Sequence, residues 1–214
     1  MGDPLTDQPS RRLFLSAAAL AFAGPAAAAP APVVTLLGDS ITAGLGLRSA
    51  DALPAQLQAA LGALGTAARV RGAGVSGDTS AGGLARVGFS VQADTTVCVV
   101  ELGGNDLLQG IEPQETRGNL EAIVRRLQAR GITVVLAGGK APLGTLGDYG
   151  RAFDKIFPQV AADTGALLAP DLLAGVIDHP DLKQADGLHP NVAGVKVVAR
   201  RLAPTVAAAL RRRR

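Results

Sequence analysis

The chain has 214 residues, of which 48% are hydrophobic and only 3% aromatic, with one cysteine, two histidines and a formal net charge of +3. This composition fits one globular domain with an aliphatic core; it excludes an internal disulfide and leaves almost no ligands for a metal site. Four arginines, Arg211–Arg214, account for the positive balance, because the rest of the chain has a net charge of −1 once their four charges are subtracted from +3. A basic end without interleaved aromatic residues is a weak nucleic-acid signal, so we expect no nucleic acid to bind.

The first 30 residues have the layout of an export signal. Two arginines in Ser10–Ser16 (SRRLFLS) precede an apolar stretch that ends in the small residues Ala26–Ala29. A glycine and a proline interrupt that stretch, so its sequence is not that of a membrane-spanning helix. The pattern predicts a twin-arginine signal peptide over residues 1–30, removed on export to the periplasm or out of the cell; a disordered alanine-rich tail is the alternative. Residues 31–214 are then the folded domain.

Strands and helices alternate along residues 31–214. In chain order, apolar patterning predicts a strand at Val33–Leu37, a helix at Asp51–Gly65, strands at Ala68–Arg71 and Thr95–Leu102, a helix at Pro113–Arg130, a strand at Ile132–Ala137, a helix at Tyr149–Thr164, a strand at Ala166–Leu168 and a helix at Asn191–Leu210 that Pro204 kinks or splits. This alternation is typical of an α/β domain whose parallel sheet is covered on both faces. Chemistry in such sheets collects where the strands end.

Four short polar segments stand out against this pattern, and the first three follow predicted strands. They are Gly38–Ser40 (GDS), Gly74–Thr79 (GVSGDT), Gly103–Asp106 (GGND) and Asp186–Asn191 (DGLHPN). Serine hydrolysis needs a nucleophile, a base, a group that orients the base, and donors for the oxyanion. Ser40 is the candidate nucleophile, while its neighbour Asp39 is interpreted as a turn residue rather than a catalytic one.

The two histidines are the candidates for the base, because a serine hydroxyl needs an adjacent imidazole to become a good nucleophile. His189 has Asp186 three residues before it, close enough in a turn for the carboxylate to reach the ring. His179 follows Asp178 directly, and adjacent side chains tend to point apart. The spacing therefore favours His189, with His179 as an exposed loop residue.

Two further residues could donate hydrogen bonds to an oxyanion. Gly77 could offer a backbone N–H from a tight turn, and Asn105 could offer its side-chain amide. By residue type alone, each is better explained as an ordinary turn residue.

A competing motif overlaps the second segment. Gly72–Gly77 matches the G-x-G-x-x-G pattern of dinucleotide sites, and Glu101 ends the next predicted strand, where a ribose-binding acid could lie. Against this, the sequence after the motif (TSAGGLARVGFS) contains three glycines and is predicted to be a poor helix. A cofactor site would also leave the other three polar segments unexplained. The G-x-S-x-G elbow of α/β-hydrolases is absent around Ser40.

Taken together, the segments LLGDSITAG, GVSGDTSAGGLARV, VVELGGNDLLQG and DGLHPN resemble the GDSL or SGNH hydrolase family over nearly all of the chain from Val33 onward. The resemblance is to its compact bacterial branch of periplasmic arylesterases and acyl-CoA thioesterase/lysophospholipases. It implies a three-layer α/β/α sandwich with a five-stranded parallel sheet of flavodoxin-like order, without metal or cofactor.

The resemblance also assigns roles to the candidate residues. It implies that Ser40 is the nucleophile and that Asp186 and His189 are the acid and base of the triad. Gly77 and Asn105 match the oxyanion donors, together with the backbone N–H of Ser40. The implied reaction is hydrolysis of carboxylic esters and thioesters through an acyl-enzyme; the alternative is an envelope binding module that kept the fold without the chemistry. We expect a monomer that acts on a small ester or thioester and has no membrane-inserted segment after signal removal.

The loop between the fourth predicted strand and the next predicted helix is the candidate acyl site. It has four glycines between Gly138 and Gly147, and Leu143 and Leu146 are its only large apolar residues. Because such a loop lies at the strand ends, beside the active site, we expect these leucines to contact the acyl chain. A wall with so few side chains predicts weak discrimination among short and medium acyl groups.

Overall fold

The computed structural model describes residues 30–141 and 146–212; residues 1–29 of the expected signal peptide lie outside the described residues. The domain contains a five-stranded parallel sheet in the order β2-β1-β3-β4-β5. Its strands are β1 (Val33–Gly38), β2 (Arg69–Gly74), β3 (Thr95–Glu101), β4 (Thr133–Ala137) and β5 (Leu167–Ala169). This order is the flavodoxin-like one, so the α/β class and the three-layer arrangement expected from the sequence are confirmed.

Helices connect the strands and cover both faces of the sheet. They are α1 (Ser40–Ala43), α2 (Leu53–Ala63), α3 (Ser80–Ser90), α4 (Gly104–Gln109), α5 (Pro113–Ala129), α6 (Gly147–Asp154), α7 (Ile156–Thr164) and α8 (Val192–Arg211), with a short 3₁₀ turn at Pro180–Leu182. In the part of the chain that the structure describes, no helix combines the length and apolarity that crossing a membrane requires.

Alternate residues of the central strands form two separate cores. Val97 and Val99 of β3 face one side, where α2 and α8 pack, whereas Cys98 and Val100 face the other, where α5 and α7 pack. All four side chains are fully buried, as expected for a strand covered on both faces. Burial raises the pKa of the Cys98 thiol to about 12, which leaves it protonated and inert.

The glycine-rich segment after β2 is a helix, contrary to the prediction of a poor one. Thr79 caps α3 by accepting a hydrogen bond from the Gly82 amide, and the helix continues for 11 residues. A Cβ atom on Gly82 would lie 1.9 Å from the Asp78 carboxylate, and one on Gly83 would lie 2.2 Å from Leu102. These glycines let two side chains pack against the helix, and this packing outweighs the low helix propensity of glycine.

Two helix boundaries also differ from the prediction. The expected helix over Tyr149–Thr164 is divided into α6 and α7 at Lys155, because Pro158 has no N–H to donate to the Asp154 carbonyl. The expected split at Pro204 is not found, and α8 runs from Val192 to Arg211. The side chain of Pro204 faces solvent, while the opposite side of α8 is buried on both sides of the proline, and this packing holds the helix together.

Candidate active site

The first three polar segments meet because strands β1, β2 and β3 end at the same level. In the strand register, Gly38 at the end of β1 is opposite both Gly74 of β2 and Glu101 of β3. Ser40, Gly77 and Asn105 follow these three strand ends by two, three and four residues. Parallel strands with flush ends therefore bring the candidate nucleophile and the candidate oxyanion donors to one edge of the sheet.

Ser40 is the first residue of the short helix α1 and is largely buried, with 8% of its surface exposed. Asp39 caps this helix: its Oδ1 accepts a hydrogen bond of 3.0 Å from the amide of Ile41. Gly44, with φ of 73°, ends the helix after a single turn. The turn points the Ser40 hydroxyl at His189, with 2.8 Å between Oγ and Nε2.

The segment DGLHPN folds so that Asp186 holds the His189 ring. The Asp186 Oδ2 atom lies 2.7 Å from Nδ1 of His189, and Oδ1 accepts hydrogen bonds from the amides of Leu188 and His189. The Leu188 amide and then the His189 ring lower the pKa of Asp186 to about 2. Because an ionised carboxylate can only accept, the ring proton is on Nδ1, and Nε2 is left to accept the Ser40 hydroxyl proton.

The second histidine lies away from this arrangement. His179 is 59% exposed, and the carboxylate nearest to it belongs to Asp181, at 3.9 Å. The structure brings His189, and not His179, to Ser40.

Gln184 fixes the histidine segment to the helix of the candidate nucleophile, and the sequence pattern did not predict it. Its amide nitrogen Nε2 donates to the carbonyl of Leu45, just beyond α1, at 2.8 Å, and its backbone N–H donates to the carbonyl of His189, also at 2.8 Å. A Cβ atom on Gly46 would lie 2.2 Å from the Gln184 side chain. No local pattern marks Gln184, because its partner at Leu45 is 139 residues away.

The Asn105 amide lies between the turns that contain Ser40 and Gly77. Its Nδ2 donates to the carbonyl of Asp78 at 2.9 Å and to Oδ2 of Asp39 at 3.2 Å. Gly77 has φ of 82°, a conformation that favours glycine, and a Cβ atom there would meet nothing within 4 Å. The backbone conformation therefore accounts for glycine at this position without any clash within the domain.

A buried carboxyl group contacts the turn that contains the candidate nucleophile. Glu101 is 4% exposed, and its Oε2 accepts hydrogen bonds from the Thr42 hydroxyl at 2.8 Å and from the Asp39 amide at 3.3 Å. Burial, and then the neighbouring Asp39 carboxylate, raise the pKa of Glu101 well above its ordinary value; burial also raises the pKa of Asp39. Glu101 thus supports the turn from within, and its Oε2 is not available to bind a ribose hydroxyl.

The expected acyl site is only partly described. Leu143 lies outside the described residues, and Leu146 lies just before α6 with 38% of its surface exposed. Other exposed apolar side chains follow or precede the site residues closely in sequence: Leu45, Val75, Leu108 and Leu188. A cavity of about 190 Å³ lies elsewhere, lined by residues of the β5 end and of α8 that include Asp171 and Arg201, and it contains none of the candidate site residues.

The known proteins that this chain resembles are esterases and related acyl hydrolases. The GDSL-like Lipase/Acylhydrolase family matches residues 36–197. The chain is 37% identical to the esterase TesA of Pseudomonas aeruginosa over 83% of this chain and 89% of that protein. It is 35% identical to the thioesterase 1/protease 1/lysophospholipase L1 of Escherichia coli, covering 77% of this chain and 78% of that protein. Among solved structures, the SGNH-hydrolase family esterase AlinE4 superposes with a TM-score of 0.70 at 43% identity, covering 86% of this chain and 99% of that one.

Proposed function

The chain belongs to the GDSL-like lipase and acylhydrolase family and is a carboxylic ester hydrolase, and on this premise we propose that it acts as a serine esterase through an acyl-enzyme on Ser40. The observation on which this rests is the 2.8 Å hydrogen bond between Oγ of Ser40 and Nε2 of His189. The continuation from Nδ1 to Asp186 supports the same proposal.

In the first half of the reaction, Ser40 Oγ attacks the carbonyl carbon of the ester or thioester while its proton moves to Nε2 of His189. The imidazolium that forms lies against the ionised Asp186 carboxylate, which stabilises it. The tetrahedral intermediate then collapses: the bond to the alcohol or thiol breaks, and His189 returns the proton to the leaving group. In the second half His189 takes a proton from water, whose oxygen attacks the acyl carbon. The bond between that carbon and Ser40 Oγ then breaks, the acid leaves, and His189 returns the proton to Oγ.

The oxyanion would be held by the backbone N–H groups of Ser40 and Gly77 and by the side chain of Asn105. The amide of Ser40 is the first of α1, so it has no acceptor within the helix. The contacts of Asn105 with Asp39 and Asp78, the neighbours of Ser40 and Gly77, support a common position for the three donors. Both Nδ2 hydrogens of Asn105 are donated to protein acceptors in this structure, so Asn105 would exchange the longer bond, to Asp39 at 3.2 Å, for one to the oxyanion.

Short and medium acyl esters and thioesters are the proposed substrates. The names of the relatives, which include an arylesterase of Vibrio mimicus that is 32% identical, support this range. Leu143 and Leu146 are proposed to contact the acyl chain, and the exposed apolar residues near the site are compatible with a shallow, open acyl site. The alternative of a binding module without catalysis has no feature of the site in its favour.

Hydrolysis of p-nitrophenyl acetate and butyrate, of an acyl-CoA and of a lysophospholipid tests the activity and ranks the substrate classes. Ser40→Ala should abolish turnover and labelling by a fluorophosphonate, whereas Ser49→Ala, at an exposed serine of the loop before α2, should retain both. Labelling that persists in Ser40→Ala would contradict the assignment of the nucleophile.

We also propose that residues 1–30 export the protein by the twin-arginine route to the periplasm or beyond. The support is the sequence pattern of Ser10–Ser16 and the apolar stretch after it. Replacing Arg11 and Arg12 by lysine should keep the protein in the cytoplasm, and fractionation followed by mass spectrometry would show both its location and any cleavage. Unchanged export of the variant would overturn the proposed route.

A further inference from the structure

One side chain outside the triad joins the strand ends that precede Ser40 and Gly77. Arg86 of α3 is 19% exposed, and three of its nitrogens make hydrogen bonds to the surrounding segments. Its Nη2 donates to the carbonyl of Gly38 at 2.9 Å, and its Nη1 donates to the carbonyl of Ala73 at 2.8 Å. These carbonyls belong to the last residue of β1 and the next-to-last residue of β2, two residues before Ser40 and four before Gly77.

The remaining edge of the same guanidinium binds the turn of Gly77. Its Nε donates to Oδ2 of Asp78 at 2.7 Å, and the Asp78 side chain is only 11% exposed. The carbonyl of Asp78 in turn accepts the hydrogen bond from Asn105. Arg86 is therefore connected to the nucleophile strand, to the Gly77 turn and, through Asp78, to the Asn105 amide.

Arginine suits this position for a geometric reason. Its planar guanidinium presents five N–H donors in a fixed arrangement, so that one group can bind two carbonyls and a carboxylate at once. A lysine has a single nitrogen and cannot span these three acceptors. On the other side of Asp78, Gly82 leaves room for the carboxylate, because a Cβ atom there would lie 1.9 Å from Oδ1.

We propose that Arg86 is a positioning residue of this active site: its contacts with Gly38, Ala73 and Asp78 hold the oxyanion donors Gly77 and Asn105 in register with Ser40. This inference rests on the proposed esterase function of Ser40. Arg86 acts through the turns that it holds and takes no part in proton transfer. Its loss displaces the oxyanion donors and leaves a nearly buried carboxylate without its cation.

The test compares Arg86→Met with Arg130→Met. Arg130 also donates to a backbone carbonyl, that of Val91 just after the far end of α3, and so controls for the general loss of a carbonyl-binding arginine. Arg86→Met should lower kcat for p-nitrophenyl butyrate about tenfold to a hundredfold, with KM within about threefold, because small displacements of catalytic groups have effects of this size. Arg86→Lys should recover only part of kcat, and Arg130→Met should stay within about threefold of the wild type.

Hydrogen exchange provides a measurement that does not depend on turnover. In Arg86→Met, amide exchange should accelerate in residues 75–79 and 39–44 and stay unchanged in β3, whereas Arg130→Met should leave all of these segments unchanged. Equal kcat in Arg86→Met and wild type, or equal losses in both variants, would overturn the inference. If the wild type hydrolysed no ester, the proposed function would fail, while the exchange data would still decide whether Arg86 fixes these turns.

A pair of glycine variants on the same helix tests the contact from its other side. Gly82→Ala should push the Asp78 carboxylate away from Arg86 and lower kcat, whereas Gly88→Ala meets nothing within 4 Å and should leave kcat unchanged. Both variants gain the same helix propensity. Full activity of Gly82→Ala together with unchanged exchange in residues 75–79 would show that the Asp78 contact does not position the site.

Discussion

The side-chain amide of Asn105 donates to the carboxylate of Asp39, with 3.2 Å between Nδ2 and Oδ2. The same nitrogen donates to the carbonyl of Asp78 at 2.9 Å, so one amide links the residue before Ser40 to the residue after Gly77. The sequence predicts that Asp39 forms a turn and supports the site without taking part in catalysis. Its contact with a proposed oxyanion donor shows what a carboxylate can do next to the candidate nucleophile.

Replacing Asn105 by alanine should lower kcat for p-nitrophenyl butyrate about 10²-fold to 10³-fold, with little change in KM, because the donor is needed mainly in the transition state. Steady-state kinetics at saturating substrate measure the effect. Asn119→Ala is the matched control, since Asn119 also donates its amide to a side chain, that of Ser80. A comparable loss of kcat in both variants would argue for a structural effect rather than for oxyanion binding.

Gly77→Ala should reduce both stability and activity, because its φ of 82° is unfavourable for alanine although the site has room for a methyl group. Gly65, which follows α2, has φ of 68° and equally open surroundings. Both substitutions should lower the free energy of unfolding by about 1 kcal/mol. Only Gly77→Ala should also lower kcat. Urea denaturation measures the stability of both variants, and steady-state kinetics measure their kcat. Loss of kcat in Gly65→Ala would contradict this reasoning.

His189→Ala should lose activity by a factor on the order of 10⁴ or more, because the variant lacks the imidazole whose Nε2 lies 2.8 Å from Oγ of Ser40 and is proposed to take its proton. His179→Ala should keep kcat within a few fold of the wild-type value. The His179 ring is exposed, and the carboxylate beside it is that of Asp181, which is not a candidate site residue. Purified variants assayed side by side with p-nitrophenyl butyrate decide the matter. The reverse pattern would mean that the base has been misassigned.

Glu101→Gln should make the free energy of unfolding less sensitive to rising pH. The raised pKa of Glu101 means that the folded state keeps a proton which the unfolded chain releases near pH 4.5. The wild-type free energy of unfolding therefore falls as pH rises above that value, until Glu101 ionises in the folded state as well. Glutamine keeps an oxygen acceptor for Thr42 and the Asp39 amide but cannot ionise.

Urea denaturation at pH 4, 6 and 8 measures this difference. The stability of Glu101→Gln relative to the wild type should increase from pH 4 to pH 8. Glu121→Gln, which removes an exposed ion pair with Arg125, serves as control and should show no such gain. A constant difference between Glu101→Gln and the wild type at all three pH values would refute the burial argument.

The acyl chain should be recognised weakly. We expect kcat/KM to rise shallowly from acetyl to hexanoyl or octanoyl esters, by less than the limit of about 0.8 kcal/mol for each fully buried methylene. The double variant Leu143→Ala/Leu146→Ala should flatten this rise further, as measured with a series of p-nitrophenyl esters. A steep preference for one chain length that the double variant retains would exclude this loop as the acyl site.

The local sequence was sufficient to predict the strands of the sheet and the sheet edge at which the polar candidate residues lie. Runs such as Val33–Leu37 and Thr95–Leu102 predict buried strands, because both faces of a central strand in a parallel sheet are covered. Since the ends of parallel strands meet at one edge, the polar residues after them had to converge. The three-residue spacing of Asp186 and His189 was likewise sufficient to predict their contact, because it needs only one turn.

Tertiary structure decided the features that depend on residues distant in the sequence. The glycines of α3 lower helix propensity locally, yet the helix forms because Asp78 and Leu102 pack against them. Arg86 reaches the carbonyl of Gly38 across 48 residues, and Gln184 reaches that of Leu45 across 139. Strand periodicity and turn spacing are repeated locally and can be recognised along the chain. A single hydrogen bond between distant segments leaves no such repeat, so only the folded arrangement reveals which side chains support the site.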